Sequence, residues 1–214
     1  MSVDEKSGTL LIESQYFPPI SYYKTLIKHN VLQIEIYEHY QKLSYRNRTY
    51  IAGPNGRMLL SVPLTKGKNQ RTVMKDVRIS NEENWQGLHW KTIISAYRRS
   101  PWFEYYEDDL QKLYEKPYSF LLDWNMACFE WANQTLGISY DITTTESFIM
   151  KYDTVPDITD AREHIRPTNL VPPSHDLQGP YTQVFQERVG FLSDLSILDL
   201  LFCEGKHALE VIKK

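Results

Sequence analysis

Cysteine is scarce. Cys128 and Cys203 are the only two among 214 residues, too few for a disulfide framework, and each falls in an apolar segment that reads as helix core. That usage points to a reducing compartment. Long apolar runs are missing as well: even residues 196–202 are interrupted by Asp199, and no stretch approaches the roughly 20 residues needed to cross a bilayer. No membrane span is expected. The first residues carry Asp4, Glu5 and Lys6 ahead of a short apolar run, unlike the basic start and longer apolar core of a secretory signal, so a cytoplasmic protein is expected. Charge of one sign does not dominate either. Twenty-four Lys and Arg stand against 27 Asp and Glu, a formal charge of -3, which disfavours a large non-specific nucleic-acid footprint. Familiar catalytic signatures are absent: no G-x-S-x-G elbow, no glycine-rich phosphate loop, no H-E-x-x-H, no C-x-x-C and no internal repeat.

What is present is an ordinary globular balance, 42% hydrophobic and 24% charged, with an unusual 15 Tyr and 5 Trp. At this length folding buries roughly 70% of the surface of the unfolded chain, so one core suffices without disulfide or metal. The expected fold is a single α/β (or α+β) domain over residues 1–214: a mixed sheet including a β-hairpin, a helical middle, and a buried C-terminal helix.

The order of signals supports that architecture. Residues 9–13 read as a strand ended by Pro18-Pro19, Ser21 is placed to cap a short helix, and residues 31–37 alternate as a second strand. Residues 45–52 and 58–64 flank Gly53-Pro54-Asn55-Gly56, where Asn-Gly favours a hairpin. Residues 65–71 read as a mobile loop, and residues 73–79 as a returning strand. Helices are predicted over 81–99, 103–115 and 118–136, punctuated by Ser100-Pro101, Pro117 and Gly137, with a strand at 138–143. Residues 153–180 hold five prolines and no clear period, which suits an ordered excursion or lid. The tail resumes as a helix through Leu195, Ile197, Leu198, Leu200, Leu201 and Phe202, with Gly205 at its C-terminal cap; apolar all round, it must be buried.

Several residues could carry chemistry. On a strand, Arg46 and Arg48 project to one face with their roots about 7 Å apart, a spacing that either grips a carboxylate or phosphate or simply decorates a solvated surface. Gln15 and Tyr16 follow the first strand, where open α/β sheets build ligand crevices, although a plain turn fits too. His89 shares an apolar helix stripe with Trp85 and Ile93, as a satisfied core histidine or as an acid–base group. Asp199 has no polar side of its helix to share, so it needs a partner, either a cation such as Arg46 or Arg48 or a set of backbone N–H groups. Tyr97, Trp102, Phe103, Tyr105 and Tyr106 crowd the break at Pro101, as core or as a stacking surface for a sugar. Glu35, Glu38 and His39 come near a metal constellation, but no second ligand cluster answers them and no metal is assigned. Cys203, in the last turn of a helix, is a poor nucleophile.

Taken in order, Gln15-Tyr16-Phe17-Pro18-Pro19, Tyr45-Arg46-Asn47-Arg48, Trp85 with His89, Ala96-Tyr97 before Ser100-Pro101, and the run from Leu195 to Phe202 with Gly205 resemble the WbqC-like family over about nine-tenths of the chain. The resemblance implies an association with O-antigen and other surface-polysaccharide gene clusters and a glycine or aminoacyl transferase role. It marks Tyr16, Pro18, Arg46, Asn47, Arg48, Trp85, Tyr97, Pro101, Gln183, Ser196 and Asp199 as motif positions. Two departures stand out: Glu35 and His39 occupy places where many members carry paired aspartates, and residues 153–180 are abbreviated. Two functions follow. In one, a transferase acts on an amino sugar or related small molecule, with Gln15, Tyr16, Arg46, Asn47, Arg48, Tyr97 and Gln183 binding substrate, His89 taking a proton and Asp199 orienting the site. In the other, the same residues form an internal network in a non-catalytic binding or assembly module. The sequence names no cofactor, donor or oligomeric state. The transferase reading requires Arg46 or Arg48, Tyr16 and His89 to share one hollow.

Overall fold

Leu10, Leu11 and Ile12 are consecutive apolar residues, and a strand can bury all three only if both of its faces are covered. The computed structural model describes residues 8–65, 71–152, 157–167 and 180–214. In chain order its elements are β1 (Thr9–Glu13), α1 (Ile20–Leu26), β2 (Val31–Glu35), β3 (Arg48–Gly53), β4 (Gly56–Ser61), α2 (Trp85–Tyr97), α3 (Phe103–Glu115), α4 (Leu121–Leu136), β5 (Asp141–Thr144), β6 (Ile158–Asp160), α5 (Gln186–Val189), α6 (Ile197–Glu204) and α7 (Ala208–Lys213). The α/β reading holds, with its strands divided between two sheets. One has the order β5-β2-β1-β6 and every pairing in it is parallel; the other is the antiparallel hairpin β3-β4.

The strand order has a functional consequence. The chain starts at β1, moves outward to β2 and β5, then returns to the opposite side of β1 as β6. Connections therefore leave the sheet in opposite directions on the two sides of β1, which opens a crevice at the carboxyl ends of the strands.

Local chemistry explains where several elements differ from expectation. Gly53 pairs with Gly56, so Pro54 and Asn55 are the central turn residues rather than Asn-Gly, and the fixed negative φ of proline excludes a turn with two positive φ angles. Gly56 takes the unusual backbone instead, at φ 117°. Helix α1 begins two residues early, behind Pro19, and Ser21 does not cap it by its own side chain. Its N–H and hydroxyl donate to the Asp194 carboxylate at 2.8 Å each, which brings an anion to the helix start from the far end of the chain. The strand expected at residues 73–79 is instead a 3₁₀ turn over Met74–Asp76. The N–H groups of Met74 and Lys75 donate to the carbonyls of Glu38 and Ile36, so the segment braces the loop after β2. Strand β6 lies within the expected excursion. Residues 66–70, 153–156 and 168–179, which include most of the predicted loop at 65–71 and much of the predicted lid, lie outside the described residues.

Tyrosine and tryptophan fill the interior. Trp124 on α4 meets Tyr16, Phe17, Trp85, Tyr114 and Tyr118 with ring centroids 5.0–6.5 Å apart, mostly tilted or edge-on, as aromatic quadrupoles prefer. Helix α6 is buried from Ile197 to Cys203 and packs against α1, α3, α4, α7 and β3. Ser196 caps its start, accepting from the N–H of Leu198, and Gly205 ends it at φ 52°, where a Cβ would collide with the Trp102 ring. No helix among the described residues is long and apolar enough to cross a membrane.

Candidate functional site

Three parallel strands end in carboxylates at one edge: β1 in Glu13, β2 in Glu35 and β6 in Asp160. Register places Glu13 beside Glu35, and Leu11 beside Asp160. Carboxylates crowded this way need cations, and two arginines supply them from loops. Arg46, in the turn before β3, donates from Nε and Nη2 to the two oxygens of Glu38, both at 2.6 Å, and again from Nη2 to Glu163 at 3.1 Å. Arg162, two residues past β6, holds Asp160 through Nε at 2.9 Å and Nη2 at 2.7 Å, and reaches Glu35 through Nη1 at 2.9 Å. Its guanidinium also lies 5.2 Å from the Phe148 ring centre and 5.1 Å from that of Tyr152.

Neutral groups complete the set. Glu13 accepts from the Gln15 side-chain amide at 2.8 Å and from the N–H of Glu163 at 3.1 Å. Glu35 accepts from the hydroxyl of Thr145 and the N–H of Tyr37. Above this floor opens a cleft of about 420 Å³ lined by Tyr37, Glu38, His39, Gln41, Phe148, Met150, Asp160, Arg162 and Glu163. It lies where the strand topology places a ligand crevice. Burial raises the pKa of Glu38 above the ordinary carboxylate value, a rise that the hydrogen bonds and charge of Arg46 only partly offset. Asp160 moves the other way, because the hydrogen bonds of Arg162 outweigh its partial burial. One cleft thus holds a carboxylate tuned toward proton uptake beside one held ionised, a division that general acid–base chemistry uses.

The residues expected to share a hollow fall into separate groups. Gln15 and Arg46 belong to the edge cluster. Tyr16, fully buried, bonds His89 Nδ1 at 3.0 Å and the Tyr114 hydroxyl at 2.8 Å inside the aromatic core. His89 is 5% exposed, and burial pushes its pKa down to about 4, so it is neutral at pH 7. Asn47 ties down the start of the hairpin, accepting from the Tyr40 hydroxyl at 2.7 Å and donating to the Val62 carbonyl at 2.9 Å. Arg48 opens β3, and its Nε has no partner among the described residues. Arg46 precedes the strand and is engaged by carboxylates, so the two arginines do not form a paired clamp.

Asp199 also differs from expectation in its partners. Neither an arginine nor a backbone set serves it; it accepts from the Tyr97 hydroxyl at 2.7 Å, the Tyr181 hydroxyl at 2.6 Å and the Gln183 amide at 3.0 Å. Tyr97 in turn accepts from the N–H of Ala52, and Gln183 exchanges two hydrogen bonds with the backbone of Leu192. Burial pushes the Asp199 pKa up to about 6, with the three donors pulling against it. Buried throughout, this network fastens residues 181–183 and α6 to β3. In the aromatic group near Pro101, Tyr97 and Phe103 are core while Tyr105 is exposed beside Trp102.

Sequence reasoning missed Glu13, Asp160, Arg162 and Glu163, and weighed Glu35 and Glu38 with His39 only as a near-metal constellation, with no metal assigned, besides reading Glu35 as a position where the family often carries an aspartate. A signal existed: Glu13 ends the first legible strand, Glu35 lies near the end of the second, and the run Asp160-Ala161-Arg162-Glu163 concentrates charge at the end of β6. The described residues contain no group of three or more His, Cys, Asp or Glu placed to hold a metal ion. A family model described as the WbqC-like protein family matches residues 13–171, a span that holds every residue of the edge cluster and excludes Tyr181, Gln183 and Asp199. No curated protein and no solved structure matches the chain.

Proposed function

The chain belongs to the WbqC-like protein family, and from that premise we propose an enzyme of surface-polysaccharide (O-antigen) or glycoconjugate biosynthesis that transfers a glycyl or other aminoacyl group to the amine of an amino sugar or related small metabolite. The observation that carries this reading is the carboxylate-walled cleft at the edge of the parallel sheet, with the largely buried Glu38, raised in pKa, in its lining. Glu38 takes over the proton-accepting role first assigned to His89, which lies in the core. It removes a proton from the bound ammonium; the freed lone pair attacks the carbonyl carbon of an activated ester, thioester or acyl phosphate. A C–N bond forms, the C–O or C–S bond of the donor breaks, and the leaving group departs with the electron pair while the nitrogen's second proton passes to it or to solvent. The reaction belongs in the cytoplasm, a reducing setting that suits the two buried, unpaired thiols.

Incubating the chain with activated aminoacyl donors and amino sugars tests this, with mass spectrometry reading the amide product. Glu38→Gln keeps an oxygen for Arg46 but removes the base, and lowers turnover by about 10²-fold. Turnover at the wild-type rate in that variant would remove Glu38 from the mechanism. A non-catalytic binding or assembly module is favoured by one observation, the sealing of the Tyr16–His89 and Asp199 networks from solvent. That alternative predicts a cleft ligand bound and released unchanged.

A further inference from the structure

The geometry points to the class of amine, an inference that rests on the transfer reading: the cleft takes a primary ammonium on an uncharged carbon body and rejects amines that also carry phosphate or carboxylate. Three carboxylates, Glu38, Asp160 and Glu163, stand in the cleft wall against one guanidinium, Arg162. That guanidinium is already shared between Asp160 and Glu35, and Arg46 behind the wall is shared between Glu38 and Glu163. Arg166 ion-pairs Glu163 as well, so among the described residues Arg46, Arg162 and Arg166 each already meet a carboxylate, and Glu13, Glu35, Glu38, Asp160 and Glu163 outnumber them five to three. Asp160 and Glu163 keep 29% and 30% of their side chains exposed, so each can still meet a ligand N–H. Lys75 lies over the Tyr37 ring, 4.1 Å from its centre.

A further observation describes the rest of the ligand. Phe148 and Met150, 50% and 78% exposed, give the same cleft an apolar lip that would cover the carbon face of a ring.

Titrating the full chain with glucosamine, N-acetylglucosamine and glucosamine 6-phosphate, followed by calorimetry or ligand-observed NMR, decides the matter. Glucosamine binds at least about tenfold tighter than either of the others, and its affinity falls as salt rises from about 0.05 M to about 0.5 M. Glu163→Gln weakens glucosamine several-fold and narrows its advantage over N-acetylglucosamine; Phe148→Ala weakens both sugars alike. If the glutamine variant fails to fold, the three-ligand comparison on the unaltered chain still stands. Equal or tighter binding of N-acetylglucosamine or of the phosphate ester overturns the proposal, as does no binding of glucosamine. A chain that prefers glucosamine yet acylates no amine overturns the transfer reading alone; one that acylates amines yet prefers the phosphate ester overturns this inference alone.

Discussion

Two carboxylate sites in this molecule solve the same problem in opposite ways. At the sheet edge, Glu35, Glu38, Asp160 and Glu163 are ion-paired with Arg46, Arg162 and Arg166, and the cluster borders a cleft. Inside, Asp199 is alone, fully buried, and held by two hydroxyls and an amide with no cation. Pairing with Arg162 lowers the pKa of Asp160 in the wall of the cleft, whereas neutral donors make an interior carboxyl a fastening whose charge depends on pH. Placement of polar residues in one chain therefore does not imply a shared purpose. Openness and the nature of the partner separate them.

The largest break in the comparison comes from Arg46→Met, which leaves Glu38 buried without its counter-charge and leaves Glu163 to Arg166 alone. Urea denaturation at pH 7 reads a loss of about 3–5 kcal/mol, with part of it recovered in acid as Glu38 protonates. A loss under about 1 kcal/mol would mean that the edge pair is worth no more than a surface one.

Opposite pH signatures sharpen the contrast next. Asp199 has a folded pKa of about 6 against an ordinary 3.8, so its contribution to stability is full below pH 3.8 and is lost as pH rises through 6. His89 has a folded pKa of about 4 against an ordinary 6.5, so its contribution is full above pH 6.5 and is lost as pH falls through 4. Each is worth about 3 kcal/mol at most, and the two oppose one another across pH 4–6. Asp199→Asn removes one arm, so on going from pH 7 to 4 the variant loses about 3 kcal/mol more than the unaltered chain in chemical denaturation. Parallel curves for the two proteins would show that Asp199 does not titrate in the fold.

The smallest effect is expected at Glu163→Gln, whose partly exposed pairing changes stability by less than about 1 kcal/mol while ligand affinity drops. A stability loss as large as that of Arg46→Met would make the edge a fastening like the interior.

Much of the fold was legible because its signals are local. Residues 9–13 and 103–115 match β1 and α3 residue for residue, since a dense apolar run and a helical stripe bounded by proline leave little choice. Gly205 at the end of α6 was legible for the same reason. The candidate site was less so. Its floor depends on β6, three residues whose strand character comes from hydrogen bonding beside β1 rather than from any period of their own. Without β6, Asp160, Arg162 and Glu163 have no visible relation to Glu13 or Glu38, which lie more than a hundred residues away. Tyr16 and His89 were placed near one another, as the structure also has them, but sequence pattern does not distinguish a bond inside the core from one facing a pocket. Asp199 was recognised as needing a partner, a cation or a set of backbone N–H groups; tyrosine hydroxyls and a glutamine amide from distant segments do that work instead.

The parallel sheet ends in β5 on one side, four residues long and exposed throughout, and in β6 on the other, only three residues long. Margins so brief offer a second chain few free N–H and C=O groups to template on. Edge-to-edge growth into fibrils at high concentration is thereby discouraged by strand length alone, without the lysines or prolines that longer margins require.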